Sequence, residues 1–336
     1  AKERSEALSR GTDFSRYMDK KKTAAFLENE ISDTTHAADN VVHILEKTIS
    51  ANQPEKDPPL AMETRPDLNW SIILRMPDDP DVLLTQLEAV ASSSENCGNF
   101  ETVIIEPENI PEKSEKILNS LEGDVRRIRT SDHLQTYSAM NLAARTARGR
   151  RLVFFKDSLA PLPGWLAPVQ KGFATHGNKT ILGSRIADHK NRLVHAGIAV
   201  DHNNSPVPLF AHVDADFPAA LTDRYLQMAD GFLAADREFF CRIGGFTEKA
   251  GNKAFPDLCL KAAEYSATTH STVYLPDVKL LLLEQCPVKS DPNENVYFFS
   301  RWHGVLWESL SKILEQDGLS KEELSAAKIS AAMQAL

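Results

Sequence analysis

Three consecutive polar residues follow a short apolar run near the middle of the chain. Lys156, Asp157 and Ser158 come directly after residues 152–155, whose sequence Leu-Val-Phe-Phe is typical of a buried strand. Two prolines and a glycine between positions 161 and 164 end the run before a helix can begin. In a parallel α/β sheet, ligands bind just beyond the carboxyl ends of such strands. The sequence therefore predicts a ligand site at residues 156–158.

Other charged residues suggest phosphate or metal chemistry less directly. Arg126, Arg127 and Arg129 alternate on a predicted strand, which suits either a phosphate contact or an exposed charged edge. Asp214 and Asp216 form an Asp-x-Asp triplet, but they do not end a β-rich run and are interpreted as a solvated loop.

The four cysteines lack CxxC spacing and predict buried free thiols. The histidines between 189 and 212 lack the spacing of a zinc site.

Strands and helices alternate from Asn69 onward and must position these polar groups. We predict strands at 70–74, 102–105 and 125–128, and helices at 81–92, 113–121 and 136–147, before the strand at 152–155. Such alternation predicts a parallel, doubly wound sheet.

The segment after the central strand carries a family resemblance. Pro163-Gly164-Trp165-Leu166 resembles the run that follows an Asp-x-Asp triplet in family 2 glycosyltransferases of the GT-A fold. Further matches follow in the same order, namely His-Ala-Gly at 195–197, Gly-Gly-Phe at 244–246 and Asp-Leu-Cys-Leu at 257–260. The resemblance extends from about Trp70 to Trp302. It implies a GT-A-type α/β domain with a Rossmann-like sheet.

The resemblance also implies a nucleotide-sugar cleft. Glu106 ends the second strand, where the family has an acid that holds the nucleotide base and ribose. Lys156 and Asp157 occupy the first two positions of the Asp-x-Asp triplet, and Arg185 lies in a later matched segment. We therefore expect Glu106, Lys156, Asp157 and Arg185 to contact a nucleotide sugar.

The catalytic positions of the family are altered in this chain. Ser158 stands where the metal-binding acid is usual, and Leu282 and Leu283 replace a pair of histidines. Of the acids before and within Asp-Leu-Cys-Leu, Asp257 remains. A leucine can neither coordinate a metal nor accept a proton. We therefore expect no divalent metal cofactor.

Three functions are compatible with these residues. The first is a degenerate glycosyltransferase-like protein that acts in glycan or polysaccharide biosynthesis by binding or scaffolding. The second is an active, metal-independent transferase in which the Lys156 ammonium contacts the diphosphate and Asp257 is the general base. The third is a protein-interaction module with a vestigial site, in which Phe155, Leu282 and Leu283 fill the cleft.

Composition excludes some classes of partner. The 336 residues carry a formal net charge of -9, which argues against a nucleic-acid or anionic-membrane surface. The sequence has no apolar run near the roughly 20 residues that span a bilayer. Its charged N-terminus lacks the apolar core of a signal peptide. These features predict a cytoplasmic protein.

The flanks of the predicted domain differ from its centre. Residues 1–52 predict a helical extension with an apolar stripe, and residues 53–68 predict a proline-rich linker. The GT-A-type domain is expected over 69–305 and C-terminal helices over 306–336. The last helix should begin at a capping box, Ser320 to Glu323, and pack weakly through Leu324, Ile329 and Met333. The terminal helices are candidate surfaces for a protein partner.

Overall fold

The computed structural model describes residues 56–93, 98–130, 136–156, 158–268, 270–284 and 292–334. The predicted helix within 1–52 and the predicted site residue Asp157 lie outside these ranges. The strands are β1 Leu68–Arg75, β2 Phe100–Pro107, β3 Val125–Thr130, β4 Gly149–Phe155, β5 Ser158–Pro161, β6 Ile181–Ala187, β7 Leu193–His195, β8 Ile198–Val200, β9 Pro206–Pro208, β10 Arg224–Leu226, β11 Phe232–Asp236 and β12 Thr272–Glu284. The helices are α1 Pro80–Ser93, α2 Glu112–Asn119, α3 Thr136–Thr146, α4 Leu166–His176, α5 Arg237–Arg242, α6 Ala254–Ser266, α7 Pro292–Trp302, α8 Leu310–Gln316 and α9 Lys321–Gln334, with 3-10 turns at Pro218–Leu221 and Glu248–Lys253.

One mixed sheet organises the described residues. Its strand order is β10-β12-β6-β11-β4-β1-β2-β3, with β5 added to β12 and β7 to β6. The first four strands are parallel, as predicted, but β11 runs antiparallel to both β4 and β6. The predicted parallel arrangement therefore holds for β1 to β4 and does not extend to β11. Gly231, just before β11, accepts a hydrogen bond from the Lys156 backbone, so β11 enters at the carboxyl edge of β4 and must run back.

Strand β4 forms the centre of the core. Leu152 and Phe154 pack in one apolar cluster, and Val153 and Phe155 pack in a second cluster on the other side. All four side chains are fully buried, as the predicted central strand requires. Each contributes about 1.5–3 kcal/mol from burial. This double-sided packing fixes the position of the residues that follow β4.

The described part of the predicted proline-rich linker, residues 56–67, is hydrogen-bonded to the domain. Residues 56–67, named here the N-terminal strap, lie along the domain and precede β1. The backbone amides of Leu60, Glu63 and Asp67 donate to carbonyls of residues 241, 145 and 148, at 2.8, 2.9 and 2.9 Å. The prolines of this segment remove some donors, but the remaining amides find partners on the domain. The strap is therefore part of the folded unit.

The C-terminal helices pack on the part of the domain that contains β7 to β10. Ile313 and Leu314 of α8 are buried in a third apolar cluster, and Leu324 of α9 packs against it. The predicted capping box is confirmed, because the Ser320 amide donates to Glu323 Oε2 at 2.7 Å and the Glu323 amide donates to Ser320 Oγ at 3.1 Å.

The predicted packing face of α9 is wrong beyond Leu324. Ile329 is 62% exposed and Met333 is 70% exposed. Among the described residues, no helix has the length and apolar character needed to cross a membrane.

Candidate functional site

The sheet brings three predicted site residues to one edge. Glu106 lies near the end of β2, Lys156 follows β4, and Arg185 lies on β6, which runs in the same direction as β4. Glu106 and Arg185 are each two strands away from Lys156, on opposite sides. Strands lie about 4.8 Å apart, so each separation is about 10 Å. This span suits a ligand that crosses the carboxyl ends of several strands.

The ammonium of Lys156 lies among oxygen atoms. Its Nζ atom is 2.9 Å from both carboxylate oxygens of Asp230 and 2.8 Å from the backbone oxygen of Asn252. The Lys156 side chain is 14% exposed, and that of Asp230 is 26% exposed. Hard divalent cations also bind clustered carboxylate and carbonyl oxygens. Lys156 thus places a covalently tethered cation in an oxygen-lined site.

His195 lies close to this ion pair and is uncharged at neutral pH. Burial lowers the pKa of His195 to about 4; Lys156 adds to the decrease and Asp230 opposes it. The Gly197 amide donates to Nδ1 at 3.2 Å, so the neutral ring carries its proton on Nε2. His195 therefore adds a neutral polar side chain, and no charge, beside the ion pair.

A second lysine follows Asn252, the residue whose carbonyl binds the Lys156 ammonium. Lys253 directly follows Asn252, and its Nζ atom is 5.7 Å from the centre of the Phe298 ring. Burial and the nearby Lys156 ammonium lower the pKa of Lys253. Sequence reasoning missed this residue and the Asp230 partner of Lys156. Lys156 and Asp230 are 74 residues apart, and no spacing signal connects them.

Glu106 is held by the arginines of the neighbouring strand. Its two carboxylate oxygens accept from Arg127 Nε at 2.7 Å and Arg129 Nε at 3.0 Å, and its side chain is 2% exposed. Arg127 also pairs with Glu115; that contact and Glu106 together raise the pKa of Arg127. The arginine cluster is thus a charged sheet edge that orients Glu106.

Arg185 supports a loop. Its Nη1 atom donates to the Ala215 carbonyl at 2.5 Å and to Asp216 Oδ1 at 3.4 Å. Asp216 is 72% exposed, whereas Arg185 is 5% exposed. The second Asp-x-Asp triplet therefore lies in a turn that Arg185 holds, with Ala215 buried and Asp216 exposed. Contact between Arg185 and a ligand stays a prediction.

Asp257 is fully buried at the junction of α6 and α7. Its Oδ1 accepts from Trp302 Nε1 at 2.8 Å, and its Oδ2 accepts from Thr247 Oγ1 at 2.8 Å, with Lys261 Nζ at 3.5 Å. A general base must reach the acceptor hydroxyl. In this arrangement, Asp257 instead ties α7 to α6, and its role as a base stays a prediction that requires α7 to move.

Solved structures of known proteins resemble this fold. GalNAc-T7, in a crystal structure with UDP, GalNAc and Mn²⁺, superposes with a TM-score of 0.55 and 16% identity over 77% of this chain and 56% of its own. The fold is that of the GT-A glycosyltransferases. A mannosyltransferase from Pyrobaculum calidifontis, solved with GDP-Man and Mn²⁺, matches with a TM-score of 0.46 and 14% identity over 90% of this chain and 83% of its own.

Sequence comparison adds a relative without an assigned activity. An uncharacterized protein, y4gI of Sinorhizobium fredii, is 26% identical over an alignment of 222 residues that covers 62% of this chain. The chain spans about a quarter of that relative, 24% of its length. No family model matches the sequence.

Within the GT-A fold, the positions that the resemblance assigns to metal ligands are part of a strand pair. Leu282 of β12 pairs with Leu159 of β5, and Glu284 pairs with Ser158. Ser158 is 2% exposed, and Leu282 packs against the apolar core. Among the described ranges, no group of three or more His, Cys, Asp or Glu side chains is placed to hold a metal. Phe155 is buried in the core of the sheet rather than filling a cleft.

Proposed function

We propose that this chain is a degenerate, family 2-like glycosyltransferase domain that binds a nucleotide sugar without a divalent metal. It would act in glycan or polysaccharide biosynthesis by binding or scaffolding. The Lys156 ammonium, 2.8–2.9 Å from three oxygen atoms at the carboxyl edge of β4, carries this proposal.

The charge of Lys156 supports a diphosphate as the ligand group. A tethered ammonium at a partly buried strand end attracts an anion more strongly than the same charge does in water, and a diphosphate would take the place of Asp230 as its partner. The GalNAc-T7 structure holds UDP, which supports a nucleotide as the rest of the ligand. Glu106 and Arg185 lie two strands away from Lys156 on opposite sides, and we assign the nucleoside to the side of Glu106 and the sugar to the side of Arg185.

The surroundings of Asp257 support loss of catalysis. Transfer to a hydroxyl needs a carboxylate within hydrogen-bond reach of that hydroxyl. Asp257 uses both of its oxygens inside the core, bound to Trp302 and Thr247. At the position of the lost acid, Ser158 is 2% exposed and pairs with Glu284 between β5 and β12.

An active, metal-independent transferase is the second candidate. The placement of Lys156 favours it, since an ammonium can stabilise the leaving diphosphate directly. It would require α7 to move and expose Asp257 to the acceptor. A third candidate, a protein-interaction module, is favoured by the exposed apolar side chains of Ile329 and Met333.

Ligand screening with product analysis separates these candidates. The protein is incubated in EDTA with a panel of UDP- and GDP-sugars, melting temperatures are recorded, and released nucleotide is measured. We expect a stabilising nucleotide sugar and no released nucleotide above the hydrolysis background. Transfer that persists in EDTA and is abolished in Lys156→Met would establish the second candidate. No stabilisation at millimolar ligand would contradict the proposal and favour the third.

A further inference from the structure

We propose that Lys253 is a second cationic contact for the diphosphate, so that Lys156 and Lys253 together form a metal-free receptor for it. This inference rests on the proposed function, because it concerns the same ligand. It adds a residue that no family motif marks and predicts that the site prefers a diphosphate to a monophosphate.

The backbone connects the two lysines. The Asn252 carbonyl accepts from Lys156 Nζ at 2.8 Å, and Lys253 is the next residue. The Asn252 amide donates to Glu294 Oε2 at 3.1 Å, which fixes this short segment against α7. Lys253 Nζ lies 5.7 Å from the Phe298 ring centre. The Lys156 ammonium therefore binds the residue that precedes Lys253, and the two charges are close enough to interact.

The two lysines differ in how their charges are balanced. Lys156 has Asp230 at 2.9 Å, whereas no described carboxylate lies within 4 Å of the Lys253 ammonium. Asp230 and Glu294 still face the cluster from a greater distance. A half-buried ammonium without an ion-pair partner, beside a second ammonium, is costly unless an anion binds there.

The chemistry of the ligand follows from the number of cations. A diphosphate carries charge on two phosphoryl groups; the Lys253 ammonium can donate to one, and the Lys156 ammonium can donate to the other in exchange for an Asp230 oxygen. A monophosphate has one phosphoryl group and therefore makes a weaker interaction with the second ammonium. His195 remains neutral above pH of about 4 and adds no further charge. The receptor should therefore bind UDP and inorganic pyrophosphate more tightly than UMP.

The test compares Lys253→Met with a matched control. Methionine keeps an apolar side chain against Phe298 and removes the charge. Lys249→Met removes an exposed lysine from the same 3-10 turn. Calorimetric titrations with UDP, UMP and pyrophosphate are made in EDTA on the whole chain. A hydrogen bond to a charged group contributes about 1.5–3 kcal/mol, so we expect Lys253→Met to bind UDP about 10-fold to 100-fold more weakly.

The expected pattern includes a smaller loss for UMP, wild-type affinity in Lys249→Met and recovered binding in Lys253→Arg. If Lys253→Met binds UDP as tightly as the wild type does, this inference is overturned and the proposed function still stands. UDP binding that needs Mn²⁺ would overturn the metal-free receptor. No binding of any probe by the wild type would overturn the proposed function itself.

Discussion

Replacing Asp57 with alanine should destabilise the domain, although Asp57 lies in a segment that looks like a linker. Its Oδ2 atom accepts from Lys261 Nζ at 2.8 Å and Arg301 Nη1 at 3.0 Å, and it lies 2.7 Å from Thr247 Oγ1. These partners belong to α6, α7 and the loop before the 3-10 turn. One carboxylate thus joins the N-terminal strap to three parts of the domain.

The size of the effect follows from the burial of the partners. Lys261 is 3% exposed and Arg301 is 6% exposed, whereas Asp57 is 27% exposed. Among the described residues, Asp257 is the other acid within 4 Å of Lys261, at 3.5 Å. Breaking a buried ion pair costs about 3–5 kcal/mol. Because Asp57 is partly exposed, the cost is smaller here, and we expect Asp57→Ala to lower the free energy of unfolding by about 2–3 kcal/mol.

Urea denaturation measures this loss directly. The midpoint for Asp57→Ala should fall while the m-value stays unchanged. The melting temperature should fall by about 5–10 °C, since a domain of this size loses about 2–4 °C per kcal/mol. Asp67→Ala is the matched control, because Asp67 lies in the same strap but pairs at the surface with Arg148, with exposures of 59% and 36%. That control should lose much less stability, because a surface ion pair contributes little.

Acid should remove the advantage of the wild type. Burial of Asp57 opposes its ionisation, but Lys261, Thr247 and Arg301 outweigh burial and hold the pKa of Asp57 below its usual value. The stabilisation is therefore complete above the unfolded-state pKa and is lost as pH falls through the lower folded-state pKa. If Asp57→Ala and Asp67→Ala prove equally stable at neutral pH, the strap is not anchored as described.

Three other substitutions test the site and its support. Trp302→Phe leaves buried Asp257 Oδ1 without its indole donor, and urea denaturation should show a loss of about 1–3 kcal/mol; an unchanged midpoint would contradict this. His195→Gln should lose less stability than the wild type as pH falls from 6.5 towards 4, because folding suppresses protonation of His195; parallel plots of melting temperature against pH would argue otherwise. Lys156→Ala removes the ammonium from between the oxygen atoms of Asp230 and Asn252, so Mn²⁺ should raise the melting temperature of this variant more than that of the wild type. An equal response would show that Lys156 does not take the place of a metal ion.

Local sequence patterns predicted the first half of the sheet well. The run at 152–155 is doubly buried β4, and the predicted strands and helices before it correspond to β1–β3 and α1–α3. These elements follow from hydrophobic periodicity within each segment. The ordered family motifs indicated the GT-A fold, which depends on the whole set of elements rather than on one residue.

The long-range contacts of the site could not be predicted in the same way. Lys156 meets Asp230 only because β11 enters beside β4 and runs antiparallel to it. Asp57 meets Lys261 across 204 residues, although its proline-rich surroundings resemble a linker. Periodicity describes one element at a time, so it carries no information about such partners. Burial of Asp257 likewise depends on Trp302 from a separate helix.

Calorimetric titration of the whole chain with UDP, in EDTA and then in Mn²⁺, tests metal-free nucleotide binding most directly. Our account predicts binding in EDTA with an affinity that Mn²⁺ does not change, since the Lys156 ammonium already supplies the cation among the site oxygens. Binding that appears only with Mn²⁺, or no binding at millimolar UDP, would contradict it.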